Sequence, residues 1–101
     1  MKNENTNEQQ WKLLVLILKK IAEDKEISHQ QIADKTGLQR SNVSRMFALN
    51  YCPSMKNFLI VAKSIEINFF FEDKEEKTDL SLIFEKAMTE LGRRSNPLKN
   101  N

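Results

Sequence analysis

Residue types that could carry out covalent chemistry are scarce in this chain of 101 residues. It has one histidine, His29, and one cysteine, Cys52, and no Cys and His set at the spacing of a zinc site. Ser28 neighbours His29, but a role as a helix cap accounts fully for that serine. With no base and nucleophile pair and no ligand set, the sequence predicts no catalytic residue, no metal, no cofactor and no enzymatic activity.

A second polar group, within residues 39–45, has side chains suited to recognition. Guanidinium groups donate paired hydrogen bonds to planar acceptors, and short polar side chains let a helix approach a surface closely. Apolar residues recur here at i, i+3 and i+4, as Val43, Met46 and Phe47, so the polar residues lie on the opposite side of one amphipathic helix. That polar side carries Ser41, Ser44 and Arg45, flanked by Arg40 and Asn42.

A shorter helix is predicted just before this one. Ser28 suits its N-cap, and Gln31, three residues on, completes a capping box. Gly37 follows where the helix must stop, because glycine accepts the left-handed conformation without steric cost. Leu38 is then expected to fill the corner between the helices. The inward residues of the first helix are Ile32 and Ala33.

These residues resemble the helix-turn-helix of phage repressors and of the Cro and xenobiotic-response-element regulators. The family run is a Ser, a Gln, two polar residues, Leu-Ala, a Gly, and then Ser-x-x-x-Ile-Ser-Arg. The closing helix of the family has the pattern Pro-Ser-x-x-x-Leu-x-x-Ile-Ala-x-x-Leu. The matching residues here cover about half of the chain: Ser28, His29, Gln30, Gln31, Ile32, Ala33, Gly37, residues 39–45, Pro53, Ser54, Phe58, Val61, Ala62 and Ile65.

The chain departs from the family pattern at three positions. His29 stands where the family often has Gln, which changes a contact expected near a phosphate. Leu49 and Glu66 stand where Gly is common. Asn50 is therefore expected to take the left-handed conformation after the second helix of the pair.

The resemblance implies a sequence-specific regulator of transcription that binds double-stranded DNA, a repressor bound as a homodimer to a palindromic operator. The second helix would lie in the major groove. Its base-reading residues would be Arg40, Ser41, Asn42, Ser44 and Arg45. Phosphates would be contacted by Ser28, His29, Gln30, Gln39 and Tyr51. For Tyr51 the alternative is a ring that packs on its own loop.

The predicted fold class is mainly α: a lambda-repressor-like helix-turn-helix domain with a short C-terminal β-strand and an extra amphipathic helix. Only two Gly and two Pro, with 40% apolar and 30% charged residues, favour a small helical globular domain. The predicted organisation is a flexible N-terminus at 1–7, the DNA-binding domain at 8–66, a dimerising extension at 67–92 and a polar tail at 93–101.

Charge and apolar runs bear on partners and location. The net charge is only +2, but residues 1–64 carry ten Lys and Arg against six Asp and Glu, which weakly favours a nucleic-acid face in that part. A lone cysteine suits a reducing cytoplasm, and the DNA binding that the resemblance implies makes the expected location nucleoid-associated. The apolar run at 13–18 is far shorter than the roughly 20 residues that span a bilayer, so no membrane partner is expected.

Three apolar features lie at the two ends of the predicted domain. The first helix, from about Glu8 to Asp24, has a core stripe of Trp11, Leu14, Val15, Leu18, Ile21 and Ala22, yet Leu13, Leu16 and Ile17 make other sides apolar too. Residues 67–72 favour an extended strand, because three consecutive Phe put bulk on both faces. The last helix, capped by Thr78 or Asp79 and ended by Gly92, is amphipathic, with Leu80, Ile83, Phe84, Ala87, Met88 and Leu91 on one face.

A homodimer would satisfy all three features, since the strand could pair with its own copy across a two-fold axis. The predicted interface residues are Ile67, Phe69, Phe70, Phe71, Phe84 and Met88. Two alternatives remain open: the Phe residues fill the core from a loop, or the last helix folds back on the first. A further hypothesis is an antitoxin-like module whose C-terminal helix binds a partner protein.

Overall fold

The chain is mainly helical, as predicted. A computed structural model describes residues 6–92, and this range contains five α-helices and no β-strand. The helices are α1 (Thr6–Asp24), α2 (His29–Thr36), α3 (Arg40–Phe47), α4 (Met55–Ser64) and α5 (Leu80–Glu90). Of the predicted flexible N-terminus, residues 1–5 lie outside the described range and Thr6 and Asn7 belong to α1; the predicted tail at 93–101 also lies outside it.

Two compact units divide the chain between Asn68 and Phe69. In the first, α2 packs against both α3 and α4, and α1 packs against α3. Each of the four helices buries apolar residues of one face, so one core forms at their centre. The core residues are Val15, Leu18, Ala22, Ile32, Ala33, Val43, Met46, Phe47, Val61, Ala62 and Ile65, with Trp11, Ile21, Ile27, Leu38, Leu49, Phe58 and Ile67 packed against them.

One predicted core residue of α1 is not in this core. Leu14 is exposed, and so are its neighbours Leu13 and Ile17. Leu14 lies one position before Val15, which is buried, and a step of 100° turns its side chain away from the facing helices. The prediction for Leu14 was therefore wrong, and the apolar surplus of α1 forms an exposed stripe.

Three helices of the first unit end in the same hydrogen-bonded turn. After α1, α3 and α4, an amide bonds back to the carbonyl five residues earlier, and the residue before it has a positive φ. These residues are Glu26 (φ 60°), Leu49 (φ 64°) and Glu66 (φ 63°). This is the Schellman motif, in which the position that follows the cap takes the left-handed conformation. Gly is the usual residue there, but this chain has Glu or Leu at all three positions.

The expectation that Asn50 would take the left-handed conformation was consequently wrong. The amide of Asn50 donates to the carbonyl of Arg45 at 3.2 Å, and that of Leu49 donates to Met46 at 2.9 Å. This pair of bonds fixes Leu49 as the left-handed residue. Leu49 accepts the conformation because its side chain packs against the core.

Replacing Glu66 with glycine is expected to stabilise the first unit. Glu66 is exposed and left-handed, a conformation that costs a residue with a Cβ about 1–2 kcal/mol, whereas the greater freedom of unfolded glycine offsets about 0.5–1 kcal/mol of the gain. Chemical denaturation of Glu66→Gly should show a free energy of unfolding higher by about 0.5–1 kcal/mol. Glu66→Ala is the control, since it removes the carboxylate and keeps the strain; an equal gain there would assign the effect to charge.

The second unit begins with residues that form no strand within this chain. Residues 69–73 have no regular structure, and Phe70 and Phe71 are each 89% exposed. A strand that pairs with a second copy cannot form in one chain, so the predicted strand at 67–72 stays a prediction. The exposed side chains do exclude the alternative in which Phe70 and Phe71 fill the core.

A short turn leads from this segment into α5. The carboxylate of Asp73 accepts hydrogen bonds from the amides of Glu75 at 2.9 Å and Lys77 at 3.2 Å. The pKa of Asp73 is lowered from its ordinary value, mainly by the hydrogen bond from the Thr78 side chain and further by hydrogen bonds from backbone amides. Asp79 is the N-cap of α5, accepting from the amide of Leu82 at 3.1 Å, and no residue of α5 is buried.

Candidate nucleic-acid interface

The two faces of α3 differ sharply in exposure. Val43, Met46 and Phe47 are at most 2% exposed, so the apolar stripe is fully buried. The opposite side is open to solvent: Arg40, Ser41 and Arg45 are exposed, and Asn42 and Ser44 are half-buried. Every predicted base-reading residue is therefore on the outer side of α3 or at its margin.

Hydrogen bonds anchor both ends of α2, including the turn that leads into α3. The capping box that was predicted at the start of α2 forms, with Ser28 Oγ accepting from the amide of Gln31 at 3.0 Å and Gln31 Oε1 accepting from the amide of Ser28 at 2.8 Å. At the other end Gly37 has φ 83° and donates to the carbonyl of Ala33 at 2.9 Å, as its predicted role as helix terminator requires.

Thr36 adds an anchor to this turn that the sequence did not single out. Its hydroxyl donates to the carbonyl of Ile32 at 2.8 Å and accepts from the amide of Leu38 at 3.1 Å. The side chain thus joins the last turn of α2 to the residue that fills the corner. A Thr directly before Gly at a helix end is the sequence signal, because its hydroxyl can bond back to the preceding turn.

The side chain of His29 bridges α2 and α3. Its Nδ1 shares a hydrogen bond of 2.8 Å with Ser44 Oγ, and its ring meets the ring of Phe47 edge-on, with the centroids 5.3 Å apart. The ring is half-buried, and both of its partners lie on α3. His29 and Ser44 were predicted to contact a phosphate and a base, and the structure brings these two side chains together instead of leaving each free.

Two further contacts order the outer surface of α3. Asn42 Oδ1 accepts a hydrogen bond from Arg45 Nη2, so these two predicted base-reading residues are joined. The hydroxyl of Tyr51, in the loop after α3, donates to the backbone carbonyl of Asn42 at 3.4 Å. Tyr51 is therefore next to the predicted base-reading surface, with its hydroxyl directed at the helix backbone.

The remaining predicted phosphate contacts lie at the N-termini of α2 and α3. Gln30 is exposed, and its Nε2 donates to Asp34 Oδ1 at 2.8 Å. Gln39 is the N-cap of α3 and makes no side-chain hydrogen bond to that helix. The first-turn amides of α2, at His29 and Gln30, have no carbonyl within the helix to bond, which is the arrangement that suits an anion.

Two lysines that add to the basic character of this part of the chain have structural partners. Lys25 Nζ donates to the carbonyl of Ile65 at 2.7 Å, and Lys35 Nζ lies 3.5 Å from the carbonyl of Ser64. Both ammonium groups are thus at the C-terminal end of α4, where a cation complements the free carbonyls and the helix dipole. Sequence reasoning missed this role, since the partners are 40 and 29 residues away.

No helix within residues 6–92 is both long and apolar enough to cross a membrane. In the same range no three His, Cys, Asp or Glu residues are grouped so as to hold a metal ion. Comparisons of the chain with protein-family models, with curated proteins and with solved structures found no match.

Proposed function

We propose that this protein is a sequence-specific regulator that binds double-stranded DNA through α3, without enzymatic activity, as a phage-repressor-like helix-turn-helix protein does. The observation that carries the proposal is the exposed polar surface of α3 on a helix whose other side is fully buried. An α-helix of this kind fits the major groove, where its side chains can reach the edges of bases.

The arrangement of α2 supports the same proposal. Its capped N-terminus has two amides free of intrahelical partners, and backbone amides of this kind hold a DNA phosphate in many complexes. With α2 held on the phosphate backbone, the three-residue turn would keep α3 at a fixed angle in the groove. With DNA as its ligand, the protein would be located at the nucleoid, in the cytoplasm.

A homodimer completes the proposal. A repressor on a palindromic operator needs two recognition helices about 34 Å apart, one turn of DNA. Apolar side chains left exposed on α1, on residues 69–71 and on α5 provide surface for such pairing, with residues 67–72 forming the strand between the copies. Repression is the regulatory outcome that the family resemblance favours.

Selection from random duplex DNA tests the function directly. The full chain should enrich one sequence with two inverted half-sites, because a two-fold dimer reads the same bases twice. Enrichment of no sequence over several rounds would contradict the proposal. The Arg45→Ala variant serves as the control for the protein surface, since it should enrich the site less.

Removing the side chain of Arg45 is expected to weaken binding to the selected site and to relax its sequence preference. A base contact contributes about 1–3 kcal/mol, which is about 5- to 150-fold in affinity. Fluorescence anisotropy with the selected duplex and with single-base variants measures both effects. Wild-type selectivity in Arg45→Ala would remove Arg45 from the base-reading surface.

The affinity of the wild-type protein for the duplex should fall steeply as the salt concentration rises, because binding releases counterions from the DNA phosphates. An affinity that does not change with salt would argue against DNA as the ligand.

The second candidate is an antitoxin-like module, and the state of α5 favours it. This helix has no buried residue: Phe84 on its apolar face is 60% exposed, and Leu91, the C-cap residue, is 71% exposed. A partner protein could cover that face while α3 binds the operator. If α5 binds a partner protein, Phe84→Asp should abolish binding of that partner and leave the contacts of each monomer with DNA intact. If α5 only joins two copies of this chain, the same change should dissociate the dimer.

A further inference from the structure

We propose that Asn42 is a positioning residue, which holds the guanidinium of Arg45 in place for reading a base. This inference rests on the proposed DNA-binding function and deepens it. Asn42 Oδ1 accepts from Arg45 Nη2, and the two residues lie three positions apart on α3, where side chains are neighbours on the helix surface. Arg45 is exposed, so this bond restrains a long side chain at the protein surface.

Arg45 has enough hydrogen-bond donors to bond to Asn42 and to read a base at the same time. A guanidinium has five N–H donors, and the bond to Asn42 uses one of them. The others include an adjacent pair that can donate to O6 and N7 of guanine. An asparagine that reads adenine needs its own Oδ1 and Nδ2 together, and here one of the two lone pairs of Oδ1 already accepts from Arg45.

The other arginine of α3 provides an internal comparison. Arg40 is also exposed, but its side chain makes no hydrogen bond or ion pair with any of the described residues. Immobilising a long side chain at an interface weakens binding by about two- to tenfold. Because the side chain of Arg45 is already held before DNA binds, part of this loss is avoided. The backbone of Asn42 is in turn joined to the following loop by Tyr51, whose hydroxyl lies 3.4 Å from the Asn42 carbonyl.

The first test needs no DNA. Order parameters for the side-chain Nε groups of Arg45 and Arg40, measured by nuclear magnetic resonance on the free protein, should show Arg45 as the more restricted. In Asn42→Ala, Arg45 should become as mobile as Arg40, and Arg40 should not change. Asn42→Asp keeps an acceptor and should keep Arg45 restricted. Equal mobility of the two arginines in the wild type would overturn the proposal, whether or not the protein binds DNA.

The second test is a double-mutant cycle on the selected duplex. Asn42→Ala should lower affinity by about two- to tenfold, and the lost preference should be at the base pair that Arg45→Ala affects. In the Arg45→Ala background the same change should have no further effect. A loss at another base pair that persists in that background would make Asn42 a base reader and overturn the proposal.

Two outcomes separate this inference from the function on which it rests. A wild-type chain that selects no duplex would overturn the proposed function, while the order parameters would still decide whether Asn42 holds Arg45. Selective binding with an unrestricted Arg45 would overturn only the positioning role. Free energies of unfolding are measured for each variant, and Asn42→Asp provides the comparison if Asn42→Ala is destabilised.

Discussion

Replacing Phe47 with alanine is expected to lower the free energy of unfolding of the first unit by about 3–5 kcal/mol. Phe47 is 2% exposed at the end of α3, and its ring also meets His29 edge-on. The substitution removes a buried ring and leaves a cavity between α2 and α3. For a domain at the lower end of the usual range, with a total stability of about 5 kcal/mol, this loss removes most or all of the stability.

Equilibrium denaturation in urea measures the effect, and two further variants test whether it comes from the loss of a buried side chain. Met55→Ala removes a side chain that is 77% exposed and should change stability by no more than about 0.5 kcal/mol. Phe47→Leu keeps most of the volume and should cost less than about 1.5 kcal/mol. A Phe47→Ala variant as stable as the wild type would mean that α3 does not bury this side.

The Phe70→Asp variant is expected to be a monomer that binds the selected operator about 10²- to 10⁴-fold more weakly than the wild type. Phe70 is 89% exposed in the single chain, so the change should leave the fold intact. In the proposed dimer it lies on the paired strand, where the change would place a carboxylate without a partner in a buried interface. Loss of pairing makes each half-site bind separately, and the gain from linking them disappears.

Analytical ultracentrifugation without DNA gives the oligomeric state, and anisotropy gives the operator affinity. Phe70→Leu is the matched control, because it keeps an apolar side chain and should remain a dimer. A wild-type monomer at tens of micromolar, together with full operator affinity in Phe70→Asp, would remove the strand from the interface. Pairing of two chains on the DNA itself would then account for a palindromic site.

Local features of this protein follow from its sequence, because each depends on residues within one helical turn. The capping box of Ser28 and Gln31 and the left-handed Gly37 were predicted from residue type alone, and the structure confirms them. The buried stripe of Val43, Met46 and Phe47 was predicted from periodicity, since residues at i, i+3 and i+4 share one side of a helix. Mainly helical structure was likewise predictable from composition and pattern.

Other features depend on contacts between residues far apart in the chain, and the tertiary structure alone decides them. Periodicity could not separate Leu14 from Val15, because the side of α1 that is buried is set by where α3 lies against it. The bridge from His29 to Ser44 spans 15 residues, and the bond from Lys25 to Ile65 spans 40. Leu49 is left-handed because packing of its side chain and the hydrogen bonds of the helix end outweigh an intrinsic preference of about 1–2 kcal/mol.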